Sequence, residues 1–557
     1  MDITSGQILL AVLVVVLFAP LVSIGLLSLY RRAVLRSMQT RATSDLTMEP
    51  MPGVGSTAQH QQVQASVPIV VMDENAAPDP GRFARDFNAD LRMAPRRAAA
   101  VYAFAGLCCT IVLTTIFFIS SALEFLPFRF FVFVWLYVWP VFLTIIIVSG
   151  TALRQRFLPI AAYFFVLAGL EILGVIRNPD LNFGAITFIW ILLNFPVIFL
   201  NRRVRAVGPL VLILMILAVT GVYFAFLIAV GDIQMLESIV QLGLAVGLSS
   251  DGIFIAILVL GIVPFIFCGW LMIQWIGYRY NRKKISDQSI TLDAIWLFYT
   301  AFASVDFMTA GAVWLIAWPM AFLVYKVVAL VGFSFYSHKI RPSKKSSALL
   351  LLRVFSLGKR SERLFDAVST NWRYIGDIRF IAGPDLMTAT VEPHEFLDFI
   401  SGKLSRRFID NAQLLDLRIS EMDLNPDFDG RFRVNDFFCR DDTWRMVLSR
   451  LISECDVVLM DIRGFSAQNS GCIFEINELI NIVPLGRVVF VIDDTTDEAF
   501  LRQIIQQSWS QMRPASPNRV ATPESLRLFR LTRLRPARLQ KLLETLSVAA
   551  NPVLYGR

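Results

Sequence analysis

Acidic residues are scarce through the middle of this chain. Positions 98–336 contain only nine: Glu124, Glu171, Asp180, Asp232, Glu237, Asp251, Asp287, Asp293 and Asp306. Charged residues make up 17% of the 557-residue sequence and hydrophobic residues 55%, whereas an average soluble domain is about a quarter charged. That balance excludes a disordered chain and a wholly soluble enzyme. Histidine is nearly missing, with only His60, His338 and His394. The six cysteines show no Cys-x-x-Cys or Cys/His spacing: Cys108, Cys109 and Cys268 lie inside apolar runs, and Cys439, Cys455 and Cys472 are scattered through a charged region. A disulfide framework and a structural metal site are excluded on that pattern, and reduced thiols are expected. The formal net charge of +8 reads as topology charge beside membrane spans, with no nucleic-acid partner implied.

What the chain does have is long apolar runs. A span needs about 20 apolar residues to cross the hydrocarbon layer. Candidates lie at 5–29, 99–122, 128–149, 157–176, 183–200, 207–230, 252–276, 292–310 and 312–335, the last two joined by a turn near Thr309–Gly311. No Lys or Arg precedes the first run, which favours a retained anchor over a cleaved signal peptide. Arg31, Arg32, Arg36 and Arg41 follow it, and basic residues mark every second later connection: Arg154 and Arg156, Arg202 to Arg205, Arg279 to Lys284, and Lys339 to Lys345. The positive-inside rule then gives about nine spans in a bacterial-type inner membrane, with the N-terminus outside and the C-terminus in the cytoplasm. Residues 1–30 are read as an anchor and 98–336 as the multi-span domain, whose partner is the lipid bilayer. Residues 31–97 are read as a cytoplasmic linker, disordered in its Pro-, Gly- and Gln-rich stretch and interrupted by a strand-like Val67-Pro-Ile-Val-Val71 that could dock on something. Glu171, Asp306 and Lys326 are the intramembrane polar candidates, with Asp306 within reach of Lys326. They leave a channel or transporter with a regulatory tail as one reading.

Beyond residue 343 apolar strands alternate with helical patterns. Strands are expected at 348–356, 378–385, 432–439, 455–462, 487–493 and 526–531. Helices are expected at 360–376, 394–409, 442–454, 470–483, 497–512 and 537–550. Continuous apolar strands alternating with helices predict a mainly parallel α/β sheet over 343–557, with ligands at the carboxyl ends of the strands. One such end stands out: strand 455–462, a polar loop, then a helix opening Gly471-Cys-Ile-Phe-Glu475. Its N-terminus is suited to anions. Glu475 and Glu478 fall on the face opposite Ile476, Ile480 and Val483. Acids so placed could complement the helix dipole or line a cleft. Arg440 and Arg463 could meet a phosphate or face solvent. Asp493 and Asp494 close a strand as turn residues or ligand groups. His394 reads as a cap or surface residue, and the Ser-Leu-Gly-Lys after the first strand lacks the first glycine of a phosphate-binding loop.

The segment running from Trp444 to ISECDVVLMDIRGFSAQNSGCIFEINEL (452–479) resembles the Toll/interleukin-1 receptor (TIR) domain. Trp444 matches that family's early helix tryptophan, and Cys472-Ile-Phe-Glu475 its Cys-x-x-Glu helix start. Gly471 and Glu475 also resemble the Gly-x-x-x-Glu start of nucleoside deoxyribosyltransferase-like proteins. The resemblance covers about 150 residues. It implies a flavodoxin-like sheet and signalling by self-association. In catalytic members it also implies cleavage of an N-glycosidic bond of NAD or a nucleoside by Glu475, with Phe465, Ser466, Cys472 and Glu478 shaping the cleft. NAD would then be a substrate, with no bound cofactor. Many members are scaffolds without catalysis, so a non-catalytic interaction module stays open.

Overall fold

The computed structural model describes residues 5–39, 67–72, 82–149, 153–177, 202–231, 233–308, 314, 316–340, 346–354, 359–382, 391, 393–440, 442–520 and 523–550. The chain divides into two compact units. Unit 1 comprises Met1–Tyr30, Arg96–Ser337 and Val391–Leu397, and unit 2 comprises Arg31–Pro95, His338–Thr390 and Asp398–Arg557.

Unit 1 is helical. Its elements are α1 (Ser5–Gln39), α2 (Arg82–Ser120), α3 (Pro127–Tyr137), α4 (Trp139–Ser149), α5 (Leu153–Arg177), α6 (Gly208–Gly231), α7 (Ile233–Ala245), α8 (Ser250–Asn281), α9 (Asp287–Met308) and α10 (Ala317–Ile340), with α1 and α2 each running on into unit 2. Within these, Leu17–Ser37, Met93–Ser120, Ser250–Asn281 and Ala317–Tyr336 are long and apolar enough to cross a membrane, and α3 with α4 makes a fifth if that bent pair is one span. The described residues thus carry four or five candidate spans, in place of the nine expected.

Two of the expected spans differ for physical reasons. The expected span 128–149 is broken, and its halves meet at 42°. Pro140 has no N–H to give to the Leu136 carbonyl one turn back. The hydroxyl of Tyr163 donates to that carbonyl instead, at 3.3 Å. In α5 and α6 the described apolar stretches are Leu158–Gly174 and Gly208–Val222, within helices of 25 and 24 residues. The expected span 292–310 lies in α9, which carries Asp287, Gln288, Ser289, Thr291 and Asp293 over its first two turns. That polarity is tolerated because α9 is enclosed: Ile290, Leu292, Ala294, Ile295, Trp296, Leu297, Phe298 and Ala303 are all buried. Trp296 occupies the space over Gly106 of α2 and donates to Thr144 of α4 at 3.2 Å. By contrast α8 presents Phe254, Ile255, Val259, Leu260, Val263, Phe267, Leu271 and Trp275 on its outside, an apolar flank suited to lipid. The expected span 183–200 and the turn at Thr309–Gly311 lie outside the described residues.

Unit 2 is an α/β unit built on a single eight-stranded sheet. Its strands are β1 (Ile69–Met72), β2 (Leu349–Arg353), β3 (Ile378–Ala382), β4 (Phe408–Ile409), β5 (Val434–Cys439), β6 (Val457–Asp461), β7 (Val488–Ile492) and β8 (Leu526–Arg530). The order across the sheet is β1-β8-β7-β6-β2-β3-β5-β4, and every neighbouring pair is parallel. The helices are α11 (Lys359–Trp372), α12 (Pro393–Ile400), shared with unit 1, α13 (Ala412–Ser420), α14 (Trp444–Glu454), α15 (Ser470–Ile482), α16 (Glu498–Ser510) and α17 (Pro536–Ala550). All five residues of β2, β6 and β7 are buried, as a sheet covered on both faces requires. Leu350, Leu352, Val458, Met460, Val488 and Phe490 pack with α14, α15 and α16 on one face. The alternate residues Leu349, Leu351, Val457 and Leu459, equally buried, point to the other face, where α17 lies along β6 and β7 and meets α11.

Several boundaries differ from expectation. Residues 31–39 continue α1, and α2 begins at Arg82, so these parts of 31–97 are helical and not linker. Val67-Pro-Ile-Val-Val71 lies largely within β1, which lines up beside β8 with Ile69 opposite Leu526. The expected helix 394–409 stops at Ile400, where Gly402 adopts φ +69° and the Gly402 and Lys403 N–H groups bond back to Phe399 and Asp398. That is a glycine helix end. The stretch beyond it forms β4 and α13. Residues 383–390 and the Ser-Leu-Gly-Lys at 356–359 fall outside the described residues, apart from the helical Lys359.

Gly376 turns the chain between α11 and β3. A Cβ there would collide with the Ser347 backbone, including its carbonyl oxygen, which cannot swing aside as a side chain would. We expect Gly376→Ala to cost unit 2 about 2–3 kcal/mol, by forced backbone shift. Thermal unfolding of the purified full chain would register a lower midpoint for that unit. An unchanged midpoint would contradict the close approach at this corner.

Candidate functional site

Chain order in the sheet reverses at β2. From β2 the chain moves to β3 and on to β4 and β5, then crosses back to β6 and continues to β7 and β8. The carboxyl ends of β2 and β6 therefore flank a topological switch point, the place where open α/β sheets bind ligands. The residues at that edge are Arg353, closing β2, and Asp461, closing β6, opposite one another in register.

Asp461 is fully buried and thoroughly engaged. Arg463 donates to it through Nε (2.7 Å to Oδ1) and Nη2 (2.7 Å to Oδ2), and the Ser361 hydroxyl donates to Oδ2 at 2.6 Å. Arg463 Nη2 also reaches the Arg360 carbonyl at 3.2 Å, while the Arg360 side chain pairs with Asp493 at the end of β7. Asp493 in turn accepts from the Thr495 N–H at 3.0 Å and hydroxyl at 2.5 Å. A continuous ionic network thus joins the ends of β6 and β7 to the first turn of α11. Arg463 is neither solvated nor open to a phosphate, because its fork is spent on Asp461. Arg440 is likewise occupied, with Asp410 at 2.5 Å and the Phe408 ring beneath its guanidinium.

Glu475 sits in the second turn of α15, enclosed in unit 2. It is 3% exposed, and its Oε2 has no hydrogen-bond partner among the described residues. Burial pushes its carboxyl from an ordinary value near 4.5 up to about 8, against the opposing pull of the Arg353 charge. The helix dipole favours an ionised acid near an N-terminus by about 1 kcal/mol or less, whereas a rise of this size corresponds to roughly 4–5 kcal/mol. Desolvation therefore wins, and the reading of Glu475 as a surface acid complementing the dipole is overturned. The expected apolar and acidic faces of α15 are not distinct either: Cys472, Glu475, Ile476, Glu478, Leu479, Ile480 and Asn481 are all buried.

The other sequence-derived candidates separate. Cys472 stays beside Glu475, its Sγ 3.9 Å from the Arg353 carbonyl, and burial raises its thiol well above the ordinary range. Glu478 is clasped by Arg513 and by the Ser449 hydroxyl at 2.9 Å, so it ties α15 to α14 and to the loop after α16. Phe465 is buried in the core and stacks on Phe500 with ring centroids 5.6 Å apart. Ser466 bonds Asn469 Oδ1 through its N–H at 2.9 Å and its hydroxyl at 3.2 Å, closing the loop before α15. Trp444 meets Phe474 edge to face at 5.5 Å. In unit 1, Lys326 pairs with Asp293 at 2.6 Å, and Glu171 keeps Oε1 buried without a partner among the described residues. The side chains of Asp306 and His394 lie outside the described residues. Among the described residues no three His, Cys, Asp or Glu side chains are grouped to hold a metal ion. Sequence reasoning missed Arg353, Ser361 and Asp461. The signal for two of them was a charge closing an otherwise apolar strand.

No family model matches the chain, and no curated protein or solved structure matches it.

Two outcomes follow from these charges. Glu475 holds its proton in the folded chain above the pH at which the unfolded chain releases it. Stability therefore falls as pH rises from about 4.5 to about 8 and is level beyond. Melting curves of the full chain and Glu475→Gln should coincide near the acid end. The variant should then pull ahead by a few kcal/mol at pH 8, at about 1.4 kcal/mol per unit. A gap independent of pH would show that Glu475 is not held protonated. Separately, Arg463→Met strands a buried carboxylate and should destabilise unit 2 by about 3 kcal/mol or more, read as a lowered denaturation midpoint. A midpoint equal to the parent's would mean that the pair contributes nothing.

Proposed function

We propose that this chain is an integral inner-membrane protein whose α/β unit is a flavodoxin-like, TIR-related module acting on the N-glycosidic bond of NAD or a nucleoside. The basic connections at 279–284 and 339–345 favour a cytoplasmic position for that unit. The five strands β3-β2-β6-β7-β8, renumbered in chain order, run 2-1-3-4-5, the order of flavodoxin-type sheets, and this supports the fold assignment. The observation that carries the functional reading is Glu475: a buried carboxyl with an unpartnered oxygen, beside the carboxyl end of β2. An acid so placed costs folding energy and satisfies no neighbour with that oxygen, the signature of a group kept for chemistry.

The chemistry fits the environment. Cleavage passes through an oxocarbenium-like centre, which a carboxylate stabilises. The ribosyl carbon–nitrogen bond breaks, the base leaves with the electron pair, and water supplies the oxygen, its proton passing to the Glu475 carboxylate. A cationic nicotinamide brought close to Glu475 favours loss of its proton, so substrate itself would convert the acid to its working form. A second reading, a scaffold signalling by self-association, is favoured by the enclosure of Glu475.

Full-length protein in detergent, assayed for NAD and nucleoside hydrolysis, separates the two. Turnover should climb about tenfold per pH unit below pH 8 and level off above it, and Glu475→Gln should lose at least about a hundredfold in kcat/KM. Turnover unaffected by the substitution would remove Glu475 from the mechanism. Absence of turnover in the parent would leave the scaffold.

A further inference from the structure

Unit 1 contains a charged site that the proposed chemistry does not use. Lys326 stands at the middle of the candidate span Ala317–Tyr336, where an ammonium is costly. Its Nζ lies 2.6 Å from Asp293 Oδ2 on α9, and the two side chains are 26% and 15% exposed. The Ser289 hydroxyl, 3.4 Å away, also donates to Oδ2. The other oxygen, Oδ1, is buried with no partner among the described residues, and the same is true of the Tyr325 hydroxyl. Tyr325 is fully buried, its ring stacked on Trp296 at 5.3 Å. Nearer the start of α9, the Tyr280 hydroxyl is bound to Asp287 at 2.5 Å.

A pair present only for structure would have its lone pairs and protons filled, because each buried polar atom left unpaired costs stability. Here an acceptor of Asp293 and a donor of Tyr325, the residue before Lys326, remain open among the described residues, and water or hydronium is a species that satisfies either. We propose that Asp293, Lys326 and Tyr325 form a proton-exchange site through which unit 1 passes protons across a bilayer.

The cycle balances. A proton from one side adds to the Asp293 carboxylate and breaks the ion pair. The Lys326 ammonium, now without its counter-charge, releases a proton toward the other side. Transfer of the Asp293 proton to the Lys326 amine restores the pair. Tyr325 orients the water that carries the proton.

This inference rests on unit 1 spanning the bilayer, and the experiment separates the two. Full-length protein is reconstituted into sealed phospholipid vesicles containing a trapped pH-sensitive dye. An acid step is applied outside, with potassium and valinomycin balancing charge. The interior should acidify several-fold faster than in protein-free vesicles. Asp293→Asn should return the rate to that of empty vesicles. Tyr325→Phe removes only an unpartnered hydroxyl, so it should slow the flux while leaving the melting temperature unchanged. Protein that floats with the vesicles, resists alkaline extraction and yet gives the empty-vesicle rate would overturn the proton site alone. So would parental rates in both variants. Protein that fails to float would overturn the membrane reading and the site with it.

Discussion

β2 is hydrogen-bonded on both edges, to β3 on one side and β6 on the other, and the character of the α/β unit descends from that position. A strand so placed has no exposed edge and, under helices on both faces, no wet surface. Its sequence must therefore be apolar throughout, and Leu349 to Leu352 comply. Because the chain leaves β2 in one direction and later returns on its other side, the helices that follow β2 and β6 diverge at its carboxyl end. Arg353 and Asp461 are left there without sheet neighbours beyond them. Asp461 finds its partners in Arg463 and Ser361. The enclosed Glu475 lies within the field of the Arg353 charge. It is set by the helix that returns over the same strand, and it stays protonated because the apolar packing that holds β2 also keeps water away.

Much of this was legible before any coordinate. The apolar runs placed β2, β6 and β7 to within a few residues, since a strand buried on both faces leaves no freedom to alternate. Short elements were not legible. β4 has two residues, Phe408 and Ile409, too few to display a period, and the glycine that ends α12 was visible in Ile400-Ser-Gly402 but unused. The site was half visible. Glu475 stood out by its spacing from Gly471, yet its burial depended on how α15 packs in unit 2, which that spacing does not contain. Pairings between distant positions were beyond reach. Lys326 was expected beside Asp306 and found Asp293, because helices packed side by side match residues by height and rotation, and neither is written in one sequence.

Unit 1 makes a complementary point. Hydropathy counts residues as though each were exposed. Much of α9 is enclosed by its neighbours, and so it accommodates Asp287, Gln288, Ser289, Thr291 and Thr300 as buried groups. The helices around it supply the greasy exterior. Apolarity in this unit is thus a property of the outer helices, and the polar inventory is gathered inward, where ionisable groups are tolerated and can be used.

β1 has a bearing on how the protein is made. It precedes the helices α2 to α10 in the chain, while the strand it borders, β8, follows them all. The sheet therefore cannot close until both have been made. Its outermost strand must wait, unpaired, while those helices and the rest of the sheet are synthesised. A fragment beginning after those helices would emerge with β8 as a raw border, ready to adhere to another copy.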